Sequence, residues 1–214
     1  MTRPLLLGHR GARSSPLFSE NTLASFELSL RHGCDGFEFD VRRSADGELL
    51  ICHDATTSGI AIENAAAKSL SLPTLEDVLR QFADRAFLDI ELKVAGLEAQ
   101  TREDLRKHPP RNGYLVSSFL PEVLNAMRDL DPSIPLGFLC ETPDELLGWR
   151  QTSAEWIVPE FDLTNRELIA AVHAAKKSVM VWTVNSPDQM REYAQSGVDA
   201  IISDQTELLV HSVR

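Results

Sequence analysis

The chain is predicted to fold as an α/β protein, a (β/α)8 TIM barrel that takes up residues 1–214 as one domain. Short apolar runs alternate with amphipathic stretches along the chain, which is typical of parallel strands separated by helices. A length of 214 residues, with 43% hydrophobic and 25% charged residues, suits one globular domain. We see no linker, low-complexity tract or internal repeat that would divide the chain.

Strand-like and helix-like segments follow one another in a regular order. Helix-like stretches fill most gaps between the strands; one begins at Asn21-Thr22 and ends at Gly33, and another begins at Thr74. Pro121, Pro143 and Pro187 stand near helix starts, where the missing N–H of proline is harmless. Nine runs have the length and composition of strands: 4–9, 36–41, 49–53, 87–93, 114–118, 136–140, 156–160, 179–184 and 200–203.

Nine strands are one too many for this barrel, and the link 42–48 resolves the count. A crossover between parallel strands needs about a dozen residues or more, so this link must be a tight reversal, which Asp46-Gly47 favours. The run 49–53 is therefore predicted to be a β-hairpin arm that folds back along the second strand. Eight parallel strands remain. A doubly wound open sheet is the alternative fold.

Cysteine content and charge limit the classes of function. The three cysteines, Cys34, Cys52 and Cys140, form no CxxC pair and suit a reducing compartment. The apolar stretch 5–7 is too short for a secretion signal, and no apolar run approaches a membrane span, so we expect a cytoplasmic protein without stable membrane insertion. The net charge of −11 argues against nucleic acid as a partner, but a small anionic substrate beside a cation is compatible with it. The oligomeric state is left open.

Titratable residues collect where the first two strands end. In such barrels functional residues lie at the carboxyl ends of the strands, on one rim. The first strand ends at His9-Arg10. The second carries Glu38 and Asp40, which point to one face because side chains alternate along a strand. The arm should return His53 to the level of Asp40, since the turn lies midway between them.

The third barrel strand adds a further acid and a cation. Glu91 and Lys93 share one face of that strand, and Asp89 lies deeper. Carboxylates held close together are costly unless a cation lies between them. Glu38, Asp40 and Glu91 therefore predict an oxygen-rich metal site of the kind that Mg2+ or Ca2+ prefers.

The remaining rim residues indicate phosphodiester cleavage. His9 and His53 beside a metal suggest a general acid and a general base. Arg10 and Lys93 supply positive charge for a phosphoryl oxygen. Trp182, near the end of the seventh strand, is either a core residue or an apolar wall for the substrate. Each residue alone has an ordinary structural explanation, and the prediction depends on their convergence on one rim.

At these residues the sequence resembles the glycerophosphodiester phosphodiesterase family. The resemblance spans nearly the whole chain, and its motifs occur in the family's order. They are GHRGA (8–12), ENTLASF (20–26), GCDGFEFDV (33–41), DGELLICHD (46–54), LPTLEDVL (72–79), LDIELK (88–93), VWTVN (181–185) and GVDAIISD (197–204).

The resemblance implies an enzyme that hydrolyses glycerophosphodiesters to glycerol 3-phosphate and an alcohol with a divalent cation. It implies that the three carboxylates are metal ligands, the two histidines an acid–base pair, and the two cations phosphate contacts. Glu20 and Asn21, which open the ENT motif, are candidates for binding the metal or for supporting its ligands.

The chain departs from the family pattern in two places. Ser19 replaces the proline usual before ENT, and the stretch 54–73 is short where family members commonly have a longer capping insertion. The reduced insertion predicts a more open active site, with weaker selection for the glycerol side or tolerance of a bulkier alcohol.

Two alternative functions remain at this point. A lysophospholipase D-like enzyme of the same barrel group would need an exposed apolar rim, and the sequence offers no obvious amphipathic membrane helix. A non-catalytic phosphate- or metal-binding barrel would be favoured if any of the seven rim residues were missing, and all seven are present.

Overall fold

The structure, a computed structural model, describes residues 3–214. Its strands in chain order are β1 (Leu5–Gly8), β2 (Gly36–Arg43), β3 (Leu49–Ile51), β4 (Thr56–Thr57), β5 (Ile60–Ala61), β6 (Phe87–Leu92), β7 (Tyr114–Ser118), β8 (Leu136–Cys140), β9 (Trp156–Pro159), β10 (Ser178–Val181) and β11 (Ala200–Ser203). Its α-helices are α1 (Leu23–His32), α2 (Leu75–Phe82), α3 (Glu98–Lys107), α4 (Pro121–Leu130), α5 (Pro143–Leu146), α6 (Arg166–Ala174), α7 (Pro187–Ser196) and α8 (Thr206–Val213).

Eight parallel strands close into a ring in the order β1, β2, β6, β7, β8, β9, β10, β11. The ring closes because β1 pairs on both sides, with Leu7 opposite Gly36 of β2 and Gly8 opposite Ser203 of β11. A helix lies between each two barrel strands that follow one another along the chain. The (β/α)8 barrel is confirmed, and the open doubly wound sheet is wrong because such a sheet leaves its first and last strands unpaired.

The arm after the second strand is confirmed as an antiparallel hairpin. β3 pairs with β2 in a register that sets Val41 opposite Ile51. The reversal closes where the N–H of Gly47 donates to Ser44, and Gly47 has a φ of +93°, which favours glycine. Beyond the end of β3 the N–H of Cys52 still donates to the carbonyl of Asp40, 3.0 Å away. Cys52 therefore lies opposite Asp40, and His53, the next residue of the arm, lies one position further along, close to the predicted level.

The helices begin and end at the predicted residues. The hydroxyl of Thr22 accepts from the N–H of Ser25 at the start of α1, and Gly33 ends that helix in the left-handed conformation. Thr74 and Asp77 form a reciprocal capping box on α2. A proline occupies the first position of α4, α5 and α7. The longest helices have ten residues, and within residues 3–214 none has the length and apolar character needed to cross a bilayer.

Alternation along the strands divides the core into two layers. One layer, between strands and helices, includes Phe26 stacked on Phe37 with ring centroids 4.3 Å apart. The other fills the barrel interior with apolar side chains from alternate strand positions: Leu7, Phe87, Leu115, Leu139, Val158, Met180, Ala200 and Ile202. Because the interior is packed, a ligand reaches the inward-facing strand residues only from an end of the barrel.

The short stretch 54–73 is folded. It contains the β4–β5 hairpin and two 3-10 helices, Ile62–Asn64 and Ala67–Ser69. Ile62 is buried against Leu50 of the arm and Leu70, so a small apolar cluster fixes the stretch on the arm. The reduced insertion is thus a small lobe on β3.

Strand bounds differ from the predicted runs by a few residues at the ends. The run 179–184 forms regular pairs only as far as Val181, where β10 ends. Beyond it the backbone pairs through isolated hydrogen bonds, from Trp182 to Pro159 and from Val184 to Ile202. The change from a regular ladder to single bonds occurs where the chain reaches the barrel mouth.

Candidate active site

A cavity of about 460 Å3 opens at the carboxyl ends of the barrel strands. Its walls come from seven of the eight barrel strands or the residues that follow them, and from the arm. The lining residues are His9, Arg10, Glu38, His53, Glu91, Lys93, Phe119, Leu139, Glu141, Trp182 and Ile202. The structure thus brings six of the seven predicted rim residues and Trp182 to one cavity, and Asp40 is buried next to them. Among the described residues that line it, none comes from 54–73.

Three carboxylates form a compact group on β2 and β6. One oxygen atom from each of Glu38, Asp40 and Glu91 lies within 4.8 Å of the others. Strand register produces this group, because Asp40 pairs directly with Glu91 and Glu38 lies two residues before Asp40 on the same face. Asp89 lies one layer deeper, fully buried, and accepts a hydrogen bond from the Ser117 hydroxyl at 2.6 Å.

The proximity of these acids perturbs their ionisation. Burial raises the pKa of Glu38 well above its usual value, and the nearby carboxylates add to the rise. Burial also raises the pKa of Glu91, to about 7, although Lys93 opposes the change. Burial works against the charged form of Asp40 too, but Lys93, Asn21 and other donors lower its pKa below the usual value. The three carboxylates together therefore carry more negative charge than Lys93, Arg10 and Asn21 can stabilise.

A divalent cation fits this group. Glu38 Oε1 is buried without a hydrogen-bond or ion-pair partner among residues 3–214, and the buried oxygens Asp40 Oδ1 and Glu91 Oε1 share the one ammonium group of Lys93. Buried oxygen atoms without a partner are rare in folded proteins and call for an explanation such as an ion. Lys93 Nζ lies 2.6 Å from Glu91 Oε1 and 3.3 Å from Asp40 Oδ1, which compensates only part of the charge. Three carboxylate oxygens are the donors that Mg2+ and Ca2+ prefer.

The ENT motif holds Asp40 and Arg10 in place. The amide of Asn21 donates to Asp40 Oδ2 at 2.8 Å, and Arg10 Nε lies 3.3 Å from the same oxygen. Glu20 accepts from Arg10 Nη1 at 2.8 Å and from Arg13 Nε at 2.6 Å. Glu20 therefore pairs with the arginines and lies outside the three-carboxylate group, whereas Asn21 supports that group directly.

The tight turn after β1 explains why a glycine follows His9-Arg10 in the GHRGA motif. Arg10 has a φ of +49°, and its backbone N–H donates to Glu38 Oε2 at 2.9 Å. Gly11 has a φ of +80° and lies against α1, where an added Cβ would come within 2.4 Å of the Ser25 hydroxyl. The turn is thus tight enough to place the backbone and side chain of Arg10 against acids of β2.

His9 is oriented by a residue from the opposite end of the chain. Its Nδ1 lies 2.7 Å from Asp204 Oδ1, and its Nε2 lies 3.8 Å from Glu38 Oε2. Burial lowers the pKa of His9, although Asp204 opposes the change. Partial burial disfavours the charged form of Asp204, but the His9 hydrogen bond, with Asn185 and Arg13, lowers its pKa to about 2. A neutral His9 therefore donates from Nδ1 to a charged Asp204 and leaves Nε2 free to exchange a proton.

His53 has a more exposed setting. Its Nδ1 lies 2.8 Å from Asp54 Oδ1, and the Asp54 side chain is 77% exposed. The backbone carbonyl of His53 accepts from Arg42 Nε at 2.7 Å, which fixes the end of the arm. The two histidines thus each have a carboxylate at Nδ1, one partly buried and one in solvent.

The other side of the cavity is aromatic. The rings of Phe119 and Trp182 meet edge to face with centroids 5.7 Å apart. Trp182 Nε1 donates to the carbonyl of Val158 at 2.9 Å, which fixes the indole. Lys93 Nζ lies 5.8 Å from the Phe119 centroid, and although burial disfavours its charge, Glu91 and neighbouring acids raise its pKa. Trp182 is therefore both a packed residue and part of the cavity wall.

Sequence reasoning missed three polar or aromatic residues in or beside this cavity. Asp204 follows directly after the last strand, so the rule that identified His9 after the first strand would have found it. Glu141 follows β8 in the same way. Phe119 follows β7, but an aromatic residue at that position carries no chemical signal by itself.

Comparisons with known proteins agree with this geometry. Two overlapping stretches, residues 9–79 and 58–208, match the Glycerophosphoryl diester phosphodiesterase family. A glycerophosphodiester phosphodiesterase from Caldanaerobacter subterraneus subsp. tengcongensis is 26% identical, over 99% of this chain and 98% of the relative. One from Bacillus altitudinis is 28% identical, over 93% of this chain and 94% of the relative. An Oleispira antarctica phosphodiesterase, solved in complex with the product sn-glycerol-3-phosphate, is similar in structure with a TM-score of 0.87 and 25% identity, over 99% of this chain and 97% of that chain.

Proposed function

The chain belongs to the glycerophosphoryl diester phosphodiesterase family and is an enzyme of that class, and we propose that its hydrolysis of glycerophosphodiesters is metal-dependent and uses two histidines. The products are glycerol 3-phosphate and an alcohol. The Oleispira antarctica phosphodiesterase, whose complex contains sn-glycerol-3-phosphate as the product, supports this direction of cleavage.

One observation carries the metal dependence. Three buried carboxylates lie together beside a cavity that also contains two histidines and two cations; one of their oxygens, Glu38 Oε1, has no partner within residues 3–214, and two others share the single ammonium group of Lys93. Glu38, Asp40 and Glu91 would hold a Mg2+ or Ca2+ ion. When bound, that ion would supply positive charge for a phosphoryl oxygen and neutralise the carboxylates.

The chain's own residues divide the remaining tasks. Arg10 and Lys93 bind the non-bridging phosphoryl oxygens, which gain charge as the attacking oxygen approaches phosphorus. One of His9 and His53 takes a proton from the attacking hydroxyl, and the other gives a proton to the departing alcohol oxygen. The attacking hydroxyl belongs either to water or to the neighbouring glycerol carbon. The second route forms a cyclic phosphate that water then opens.

A lysophospholipid is the second candidate substrate, because the loop after β1 exposes large apolar side chains. Leu17 is 72% exposed and Phe18 is 42% exposed. The hydroxyl of Ser14 donates to the carbonyl of Asp204 at 2.8 Å, which keeps this loop beside the barrel mouth. An acyl chain on the glycerol could contact this surface while the phosphate lies in the cavity.

Turnover assays test the proposal. Purified protein is incubated with glycerophosphocholine, glycerophosphoethanolamine or a lysophospholipid, first after chelation and then with Mg2+ or Ca2+ restored. We expect release of the alcohol only with a cation present. Equal turnover after chelation would contradict the metal dependence, and no turnover of any of the three substrates would contradict the assigned activity.

A further inference from the structure

The charges of the cavity are unevenly distributed around the barrel. His9 follows β1, and the three carboxylates and Lys93 belong to the neighbouring β2 and β6 or follow them directly. In the ring of eight strands β8 lies four positions from β1, directly across the barrel. Glu141 follows β8, and among the described lining residues it is the one charged side chain outside the catalytic cluster.

The carboxylate of Glu141 has no partner within residues 3–214. The backbone N–H of Glu141 donates to Glu145 Oε2. Its side chain is exposed, lines the cavity and forms no ion pair with the described residues. Neighbouring acids strengthen the negative potential on this side. Partial burial raises the pKa of Glu160, and Asp162 and Glu141 add to the rise.

Aromatic rings lie on the same half of the cavity. Phe119 follows β7, the strand beside β8, and Trp182 follows β10. The edge-to-face contact between the two rings and the hydrogen bond from Trp182 to Val158 fix this wall. Leu139 and Ile202 complete its apolar surface. A carboxylate next to aromatic rings is the chemistry that recognises an organic ammonium group.

We infer that Glu141, Phe119 and Trp182 form a subsite for a cationic amine on the alcohol group, so that the enzyme prefers glycerophosphodiesters of amino alcohols. The inference rests on the proposed function, because Arg10 and Lys93 must hold the phosphate. Lys93 Nζ lies 5.8 Å from the Phe119 ring, so the phosphate lies next to the subsite. Such a substrate carries its negative phosphate and positive amine at opposite ends of the alcohol. The phosphate can then contact Arg10 and Lys93 while the amine contacts Glu141. A neutral polyol, by contrast, leaves Glu141 without a counter-charge.

Substrate discrimination tests the inference. kcat/KM is measured for glycerophosphocholine, glycerophosphoethanolamine and the uncharged-alcohol substrate glycerophosphoglycerol at one ionic strength, with Mg2+ or Ca2+. For Glu141→Gln we expect the ratio of kcat/KM between either amine substrate and glycerophosphoglycerol to fall about three- to tenfold, the size of one exposed charge contact. A fall for glycerophosphocholine alone assigns the subsite to quaternary ammonium, and a fall for both assigns it to ammonium groups in general.

Glu160→Gln is the matched control, since Glu160 carries the same charge nearby but does not line the cavity. We expect its ratios to stay within about twofold of the wild-type values. An unchanged ratio in Glu141→Gln, or an equal fall in both variants, overturns the inference while the hydrolytic activity stands. Absence of turnover with all three substrates would instead overturn the proposed function, and the inference with it.

Discussion

His9 Nδ1 and Asp204 Oδ1 lie 2.7 Å apart although 195 positions separate the two residues in the chain. Closure of the barrel creates this contact, because β11 pairs with β1 and sets Ser203 opposite Gly8. Asn185 Nδ2 donates to the other oxygen of Asp204 at 2.7 Å. Asp204 is thus held in place from two sides and determines which nitrogen of His9 faces the cavity.

Asp204→Asn should lower kcat strongly. An amide at this position can present its NH2 group to His9 and favour the wrong tautomer, which removes the proton-exchanging role of Nε2. We expect kcat to fall on the order of 100- to 1000-fold. Steady-state kinetics check this result, with circular dichroism to verify that the variant is folded. Asp54→Asn is the contrasting variant: Asp54 is exposed, water can replace it, and kcat should fall by less than about tenfold. Equal losses in the two variants would contradict a special role for Asp204.

The histidines should be separable from the metal site. His9→Ala and His53→Ala each remove a group proposed to exchange a proton but none of the three carboxylates, so turnover should fall at least about 100-fold while cation affinity changes little. Calorimetric titration with Mg2+ or Ca2+ measures the affinity, and the alcohol-release assay measures turnover. Loss of cation binding in either variant would show that its histidine has been assigned the wrong role.

Glu38→Gln should make the protein more stable than the wild type when no cation is present, and less stable than the wild type when the cation is bound. In chelator the substitution removes one of three crowded buried acids and keeps an acceptor for the N–H of Arg10, so the free energy of unfolding should rise by about 2 kcal/mol. For a chain of this size each kcal/mol raises Tm by about 2–4 °C. With saturating Mg2+ or Ca2+ the wild type should become the more stable protein. Cation binding stabilises the folded state, and the variant lacks one of the three carboxylates that would bind the cation.

Glu20→Gln is the control for that experiment. Glu20 pairs with Arg10 and Arg13 outside the carboxylate group, so the cation-induced rise in Tm should persist in this variant. Thermal unfolding monitored by fluorescence measures all three proteins. A cation-induced rise of the same size in Glu38→Gln as in the wild type would place the cation elsewhere.

Asp35 links folding stability to pH. Partial burial disfavours its charge, but hydrogen bonds from Arg3 and from the N–H of Leu6 outweigh that effect and lower its pKa. A folded-state pKa below the unfolded value contributes stability above about pH 4, and this contribution is lost as the pH falls through the folded-state pKa. Asp35→Asn should therefore cost about 1–3 kcal/mol at pH 7, and the difference from the wild type should shrink as the pH falls below about 4.

Asp84→Asn provides the comparison, since Asp84 forms an ion pair with Arg111 in which both side chains are largely exposed. Its effect on the free energy of unfolding should stay within about 0.5 kcal/mol. Urea unfolding at several pH values checks both variants. A cost in Asp35→Asn that does not change with pH would mean that packing, and not charge, stabilises this residue.

Local features of the sequence determined the architecture and the seven predicted rim residues of the site. Period-two alternation on one strand was enough to place Glu38 and Asp40 on one face, and the short link at Asp46-Gly47 was enough to predict the arm. That arm in turn predicted the level of His53. These inferences succeed because strand geometry and turn length are local, so residues a few positions apart have fixed relations whatever the rest of the chain does.

Only the tertiary structure decided the partners that come from distant strands. The pairing of His9 with Asp204 depends on ring closure, and the position of Glu141 across the barrel depends on the number and order of strands between β1 and β8. The pairing of Glu20 with Arg10 and Arg13 likewise depends on how the loop after β1 folds over the rim. Sequence spacing does not encode these contacts, because packing of the whole barrel sets the distance between side chains on non-adjacent segments.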